Sequence, residues 1–582
     1  MTKRNRFLGG GSLSRRLRYL ISAAFVLGSM IFIVSCSDNG DDSFLSSSSE
    51  PPVVEGIPDQ TINEGEVFAT ISLDQYVSDP DNTDSEISWT FSGTLALTAS
   101  IDHGQIATIR LPSLEWNGSE TITFTAADPD GNASSDAAVF TVTGVNDAPY
   151  VLLIPDQTIY ESYAFSPIDL DDFVLDYDNT AAEMTWTYSG NLDLNVAIDS
   201  NRLARIAIPD ASWMGSETIT FRATDPAGLS DERPVAFTVN PVIYDPLVLS
   251  DWPVSTPTEQ GLDSELVRNT YLTAAGIDHL YSLLIIKNGY LVAECYFNGM
   301  TVDMAMPTAS ATKSYTSALT GIALREGYLT SLDQRLVEFF PELDWYLTDA
   351  RKRAITVREM LQMRSGYPWE EREDLLYELF EFPFDWAGKL IEFPLTSDPG
   401  TAFGYSNLTA HVVAVILARA MDADLLPFAE AFLLDPLGCA SVYWPRDLQG
   451  YYVGHGDVRI RPRDMTKLGL LFLNDGSYGG TQVIPADWVA ESLTPYSQNV
   501  YGAEILDHMT NISYGYMWWT AEAGSHHIEF AWGNGGQLIV MVRDLNMVVV
   551  TSADNFVLLW DNEHWLRHKL VLEMVGEFIS SQ

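Results

Sequence analysis

Ser310 and Lys313 are the residues whose types and spacing are best suited to chemistry in this chain. They open the stretch Ser314-Tyr315-Thr316-Ser317-Ala318-Leu319-Thr320-Gly321-Ile322-Ala323-Leu324, which predicts a buried helix. Positions i and i+3 share a helix face, so the Ser310 hydroxyl and the Lys313 amine can meet at the first turn. A serine hydroxyl is a poor nucleophile until a base takes its proton. A lysine serves as that base when desolvation or nearby positive charge lowers its pKa. The helix N-terminus adds partial positive charge and N–H groups where an oxyanion would form. Of the seven lysines, Lys313 alone has a serine three residues before it. A plainer reading also fits: a helix N-cap followed by a solvated lysine.

Two later segments supply partners. Pro399-Gly400-Thr401-Ala402-Phe403-Gly404-Tyr405-Ser406-Asn407 is a turn leading into a helix over 408–421. A tyrosine near a lysine can act as a phenolate or proton relay, and an Asn amide can fix a substrate carbonyl. Tyr-x-Asn recurs at Tyr177-Asp178-Asn179 and Tyr296-Phe297-Asn298, but only Tyr405-Ser406-Asn407 follows the Ser–Lys helix at a turn-to-helix junction. The third segment is Phe530-Ala531-Trp532-Gly533-Asn534-Gly535-Gly536-Gln537, between apolar runs at 527–532 and 538–542. Glycines inside a strand pattern indicate close approach of a backbone or ligand, or a simple bulge.

In this order the three motifs resemble the serine hydrolases related to class C β-lactamases. That family also includes D-Ala-D-Ala peptidases, esterases and 6-aminohexanoate-dimer hydrolases. The likeness runs over residues 262–578 and takes in the segments 355–366, 462–474 and 514–519. It implies an α+β β-lactamase/transpeptidase-like domain, an antiparallel sheet flanked by helices, that needs no cofactor. It makes Ser310 the acylated nucleophile and Lys313 its base or proton-network partner. Tyr405 becomes the general base of acylation or deacylation. Asn407 contacts substrate amide or carbonyl groups, and Asn534, Gly535, Gly536 and Gln537 line the substrate. The oxyanion hole would use the Ser310 N–H and one at Gly536 or Gln537.

One departure shapes the substrate expectation. Where β-lactamases and peptidases of the family carry Lys-Thr-Gly, and others His-x-Gly, this chain has Gly533-Asn534-Gly535 or Asn534-Gly535-Gly536. Neither frame has a cation to anchor a substrate carboxylate. The resemblance therefore favours a small ester or amide substrate, in the manner of esterases and dimer hydrolases, over β-lactams and D-Ala-D-Ala ends. A catalytically silent surface binding protein is the alternative from a different class.

Other residues fit quieter roles. His526 and His527 read as edge or surface histidines. His455, in Gly454-His455-Gly456-Asp457, reads as structural or substrate-contacting. The stretch 367–393 mixes acids with aromatics and reads as a lid or an amphipathic helix. Cys295 and Cys439 read as two buried thiols.

The rest of the chain organises around this domain, placed at residues 259–582. Residues 1–35 carry a basic lead and an apolar run over 19–34 too short for a comfortable span, so they read as a signal peptide. Ile33-Val34-Ser35-Cys36 resembles a bacterial lipobox, which implies a lipidated Cys36 and an outer-membrane lipoprotein of the cell envelope. Residues 36–51 form a Ser-, Asp- and Gly-rich tether. Ile57-Pro58-Asp59-Gln60-Thr61-Ile62 returns 97 residues later at Ile154, and Trp89 and Trp116 return as Trp186 and Trp213. The constant offset marks two duplicated units, 52–147 and 148–241. Their alternating short runs predict all-β sandwiches, and they resemble cadherin- or immunoglobulin-like repeats able to bind a surface polymer or protein. Asp79, Asp81, Asp128, Asp130, Asn146 and Asp147 are candidate Ca2+ ligands, although Asp and Asn also favour turns without metal. Four prolines between residues 240 and 257 mark 242–258 as a linker. A net charge of −47 excludes a nucleic-acid partner, which requires Lys and Arg against phosphate.

Overall fold

The computed structural model describes residues 49–210, 212–370, 385–502, 506–555 and 563–582. The expected signal peptide, Cys36 and most of the expected tether lie outside the described residues. The chain divides into two compact units, Met1–Val145 and Asn146–Gln582.

The first unit is all β. A four-stranded sheet runs in the order Gln60–Asn63, Ala133–Thr143, Gly118–Ala127, Ser88–Ser92, and a three-stranded sheet joins Ile71–Ser72, Ile106–Arg110 and Thr98–Ile101. Alternate residues of Gly118–Ala127 point inward, so Ile122, Phe124 and Ala126 reach the core while their neighbours face out. The same sheets recur 97 residues on, at the start of the second unit. There Gln157–Tyr160 pairs in parallel with Ser230–Asn240, as Gln60–Asn63 does with Ala133–Thr143. Sequence duplication has thus become duplicated pairing and register.

The candidate Ca2+ ligands sit at turns. Asp79 Oδ1 accepts from the Asp81 and Asn82 N–H groups at 2.9 and 2.8 Å, and Asp128 accepts from the Asn132 amide and the Ser49 hydroxyl. Asn146 donates to Asp225 at 2.6 Å, and the Asp147 N–H donates to Asp178 at 2.7 Å. Asp130 is exposed.

Residues 242–258 run against the catalytic-type domain rather than away from it. Val242 and Trp252 are buried in its core, and the Leu247 N–H reaches the buried Glu294 carboxylate. That domain is built on seven antiparallel strands: β1 Leu280–Lys287, β2 Tyr290–Tyr296, β3 Thr510–Tyr514, β4 Trp519–Ala523, β5 His526–Gly533, β6 Gln537–Val542 and β7 Met547–Ala553. Their order is β2-β1-β7-β6-β5-β4-β3. The two ends of the domain meet in this sheet, where β1 pairs with β7 in the register Leu283↔Thr551. Asn288 and Gly289, both at positive φ, make the two-residue turn between β1 and β2 that Asn-Gly favours.

Five helices matter to the site: α1 Ser264–Ala275, α2 Thr312–Arg325, α3 Asn407–Met421, α4 Pro462–Leu473 and α5 Glu563–Ser580. β6 and β7 are buried along their whole lengths, so helices must cover both faces of the sheet. α4 packs on β6 and β7, where Gly469 lies against Val548 and Ile539. α2 is enclosed all round, buried at every position from Thr312 to Ala323. Its first turn is therefore fixed by packing on every side, which is what a positioned nucleophile needs.

Candidate active site

Ser310 lies in a single 3-10 turn, Ala309–Ala311, that runs into α2. Ala309 holds a φ of +45°, a left-handed conformation that costs a non-glycine residue about 1 kcal/mol. Neighbours over-determine this turn. The Thr308 N–H donates to Val458 O, the Asp457 N–H to Ala309 O, and the Val458 N–H to Thr312 Oγ1. The segment 454–458 is thus a cradle for the serine turn. Ser310 keeps part of its surface open, whereas Lys313 is 1% exposed.

The Lys313 amine makes three hydrogen bonds of 2.8 Å, to Ser310 Oγ, Asn407 Oδ1 and the His455 carbonyl. Two of these partners can only accept, so two amine protons belong to them. The third direction faces the serine. A neutral amine presents its lone pair there and can take the Ser310 proton. The resulting ammonium then has an acceptor for each of its three N–H bonds. It also lies 4.8 Å from the centre of the Tyr405 ring, whose π face favours a cation.

α3 brings Asn407. Ser406 is its N-cap and accepts from the Thr409 N–H. Glu370 closes the same helix end from outside: its carboxylate accepts from the Ser406 hydroxyl and from the Asn407 and Leu408 N–H groups. Burial pushes the Glu370 carboxyl up to about 7 from an ordinary 4.5, against the pull of those donors. Its folded value is raised, so its stabilising contribution is full below about 4.5 and is lost as pH rises through about 7. The loss is at most roughly 3 kcal/mol. Glu370→Gln is therefore expected to flatten the pH dependence of stability over that window. Urea midpoints at pH 5 and pH 7.5 check this, and an unchanged difference between them would refute it.

Tyr405 is buried in an aromatic box. Its ring stacks on Trp519 at 5.4 Å and meets Tyr514 edge-on at 6.0 Å and Trp369 at 6.1 Å. Tyr514 ends β3 and Trp519 opens β4, at the two ends of the segment 514–519 singled out in the sequence. His455 is buried, and its imidazole is held well below the usual histidine range by burial first and by the Lys313 charge second. The Asp457 carboxyl is pushed up by burial.

The glycine-rich segment divides. Pairing of β5 with β4 stops at Phe530↔Trp519, so residues 531–533 project past it. Gly533 reaches the serine turn: a Cβ there would overlap the Thr308 carbonyl and stand 3.1 Å from the Ala311 nitrogen. The other expected contacts lie on the α5 side of the hairpin. The Gly536 N–H donates to Gly533 O, and Gly536 abuts Val571. Gly535 abuts the Asp554 carbonyl, and its N–H faces His568 at 3.4 Å. Asn534 bonds Asn555 O and His568, and the Gln537 side chain is clamped to Ala553. The structure thus brings Ser310, Lys313, Asn407 and the Tyr405 ring together, and places Asn534, Gly535, Gly536 and Gln537 behind them as supports. Gly533→Ala is expected to lower kcat about 100-fold by displacing the serine turn. Unaltered turnover in a folded Gly533→Ala protein would show that this contact is unimportant.

His526 and His527 pair with Asp544 and Glu522 at the sheet margin. Cys295 and Cys439 are free thiols, each pushed up to about 12 by burial. Of the 367–393 stretch, residues 371–384 lie outside the described residues, and Trp386–Glu392 is a short helix. Among the described residues, no group of three or more His, Cys, Asp or Glu side chains is placed to hold a metal. Sequence reasoning missed the His455 carbonyl and Glu370. A main-chain acceptor has no side-chain signature, and the acid looked like one of several solvated charges.

A serine and a buried lysine, joined at the first turn of a helix beside an antiparallel sheet, define the β-lactamase-like class of α+β fold. Residues 281–568 match the Beta-lactamase family. The chain is 26% identical over 197 residues to Beta-lactamase-like protein 2 of Dictyostelium discoideum, covering 32% of this chain and 33% of that protein. It is 23% identical over 304 residues to the 6-aminohexanoate-dimer hydrolase of Paenarthrobacter ureafaciens, covering 49% of this chain and 74% of that one. Among solved structures, an octameric penicillin-binding protein homologue from Pyrococcus abyssi aligns at 16% identity and a TM-score of 0.41, over 53% of this chain and 76% of its own.

Proposed function

We propose that this protein is a serine hydrolase that cleaves a small ester or amide through an acyl-enzyme on Ser310. The carrying observation is the three-way bonding of Lys313, which leaves one amine direction for the serine. Ser310 Oγ attacks the substrate carbonyl carbon while its proton passes to Lys313. The tetrahedral oxyanion collapses, the bond to the leaving group breaks, and the Lys313–Tyr405 pair returns the proton to the departing alcohol or amine. A water then adds to the acyl-serine, loses its proton to the same pair and frees the acid. The Ser310 N–H and the strand edge reaching it at Gly533 are the candidate oxyanion donors.

The substrate class follows from chemistry near the strand. Residues 530–537 carry no cation where a substrate carboxylate would need one. The likeness to a 6-aminohexanoate-dimer hydrolase supports linear amides and esters over β-lactams. Turnover of p-nitrophenyl butyrate well above that of nitrocefin is expected, and rapid nitrocefin hydrolysis would reverse the preference.

For the N-terminal units we infer spacers that carry the enzyme away from a membrane, tethered through a lipidated Cys36. Metabolic palmitate labelling lost in Cys36→Ser tests the anchor. Asp79 Oδ2 and Asn82 Oδ1 are buried without hydrogen-bond partners, as are Asp176 Oδ2 and Asn179 Oδ1 at the matching positions. Such orphaned oxygens fit Ca2+ ligation. A rise in Tm with Ca2+ over EGTA is the expected sign, and identical melts would count against it.

A further inference from the structure

The Asp447 and His411 side chains are both 0% exposed and bonded at 2.9 Å between Asp447 Oδ2 and His411 Nε2. Nothing in the hydrolytic steps above uses them. The other imidazole nitrogen, Nδ1, accepts from the Gly454 N–H at 3.3 Å. A nitrogen that accepts carries no proton, so His411 is the neutral tautomer with its hydrogen on Nε2, aimed at Asp447. Asp447 in turn is fixed by the Tyr451 N–H on its second oxygen.

The bond to Gly454 lands on the cradle of the serine turn. Gly454 lies directly on α3, where a Cβ would overlap Ala414 and stand 2.8 Å from the Ala410 carbonyl. Its own carbonyl accepts from Thr316 of α2 at 3.0 Å. The next residue, His455, offers its carbonyl to Lys313, and its ring meets the His411 ring edge-on at 5.9 Å. One buried dyad therefore joins α3, which supplies Asn407, to the segment that supplies the other fixed acceptor of Lys313.

We propose that Asp447 and His411 are positioning residues for the Ser310–Lys313 pair. By holding Nδ1 bare, Asp447 makes His411 an obligate acceptor for Gly454, and that bond sets where the His455 carbonyl meets the lysine amine. This deepens the serine-hydrolase reading and rests on it. In Asp447→Asn, one carboxylate oxygen gives way to an NH2 donor. It then opposes either the Tyr451 N–H or the His411 Nε2–H, so the dyad loses its fixed tautomer.

The test uses His411→Asn, His411→Leu and Asp447→Asn in the full chain. Asparagine places an acceptor oxygen where Nδ1 stood, and leucine does not. His411→Leu is expected to lower kcat for p-nitrophenyl butyrate at least about 30-fold with KM within about twofold, and His411→Asn to recover most of it. Asp447→Asn should fall between them. Hydrogen exchange of the peptide spanning 451–458 gives a readout independent of turnover. It should quicken in His411→Leu and stay slow in His411→Asn. Unchanged exchange in His411→Leu, or quickened exchange with undiminished kcat, overturns the proposal. So does a His411→Asn protein no better than His411→Leu at equal stability. If His411→Leu does not fold, Asp447→Asn against His411→Asn decides by the same two readouts. A wild-type protein without Ser310-dependent turnover refutes the hydrolase reading instead, and the exchange data still judge the dyad.

Discussion

Ser310→Ala is expected to reduce kcat on ester substrates by a factor on the order of 10⁴ or more, without loss of fold. In the proposed reaction the serine supplies the electron pair that adds to the carbonyl, and its hydroxyl lies 2.8 Å from the Lys313 amine. The structural consequence is small. Ser310 is partly open to solvent, and its side chain makes one described hydrogen bond. Removing an exposed hydroxyl of this kind changes stability by well under about 1 kcal/mol. A variant with wild-type melting and no turnover, compared by calorimetry and by release of p-nitrophenol, is the expected pair of results. Residual activity above a few per cent would move the nucleophile elsewhere.

The second large effect is at Lys313. Lys313→Met keeps the length of the side chain and removes the amine. The loss in kcat is expected on the order of 10³-fold, because the serine proton then has no positioned acceptor. Stability has opposing parts. The Asn407 and His455 acceptors lose their donor, at about 1–3 kcal/mol each, while a buried amine no longer has to be desolvated. Lys313→Arg is not expected to rescue activity. A guanidinium stays charged and cannot present a lone pair to Ser310. Activity of Lys313→Arg near the wild-type level would show that the residue acts as a fixed charge and not as a base.

Much of this was legible before any fold was in view. The strands at 527–532 and 538–542 became His526–Gly533 and Gln537–Val542, and the helix at 408–421 became Asn407–Met421. Those segments announce themselves through continuous burial and strong punctuation. Repeat periodicity survived as pairing because a constant offset preserves every strand register. The Ser–Lys pairing needed only helical spacing, a local rule. What sequence could not supply was long-range. Gly533 meets the serine turn because β5 outruns β4, and nothing in the letters Gly-Asn-Gly-Gly says which glycine faces forward. Gln537 looked like a substrate contact but clamps β7, since its amide reaches the Ala553 main chain across the hairpin. The segment 242–258 has the prolines of a linker, yet it packs through Val242 and Trp252, two apolar residues buried in the domain's core.

Peptide mapping by mass spectrometry after exposure to a fluorophosphonate ester tests the central claim most directly. A single stoichiometric adduct on Ser310, slowed on the order of 10³-fold by Lys313→Met, is the predicted result. An unmodified protein, or an adduct on another residue while Ser310 stays free, would contradict it.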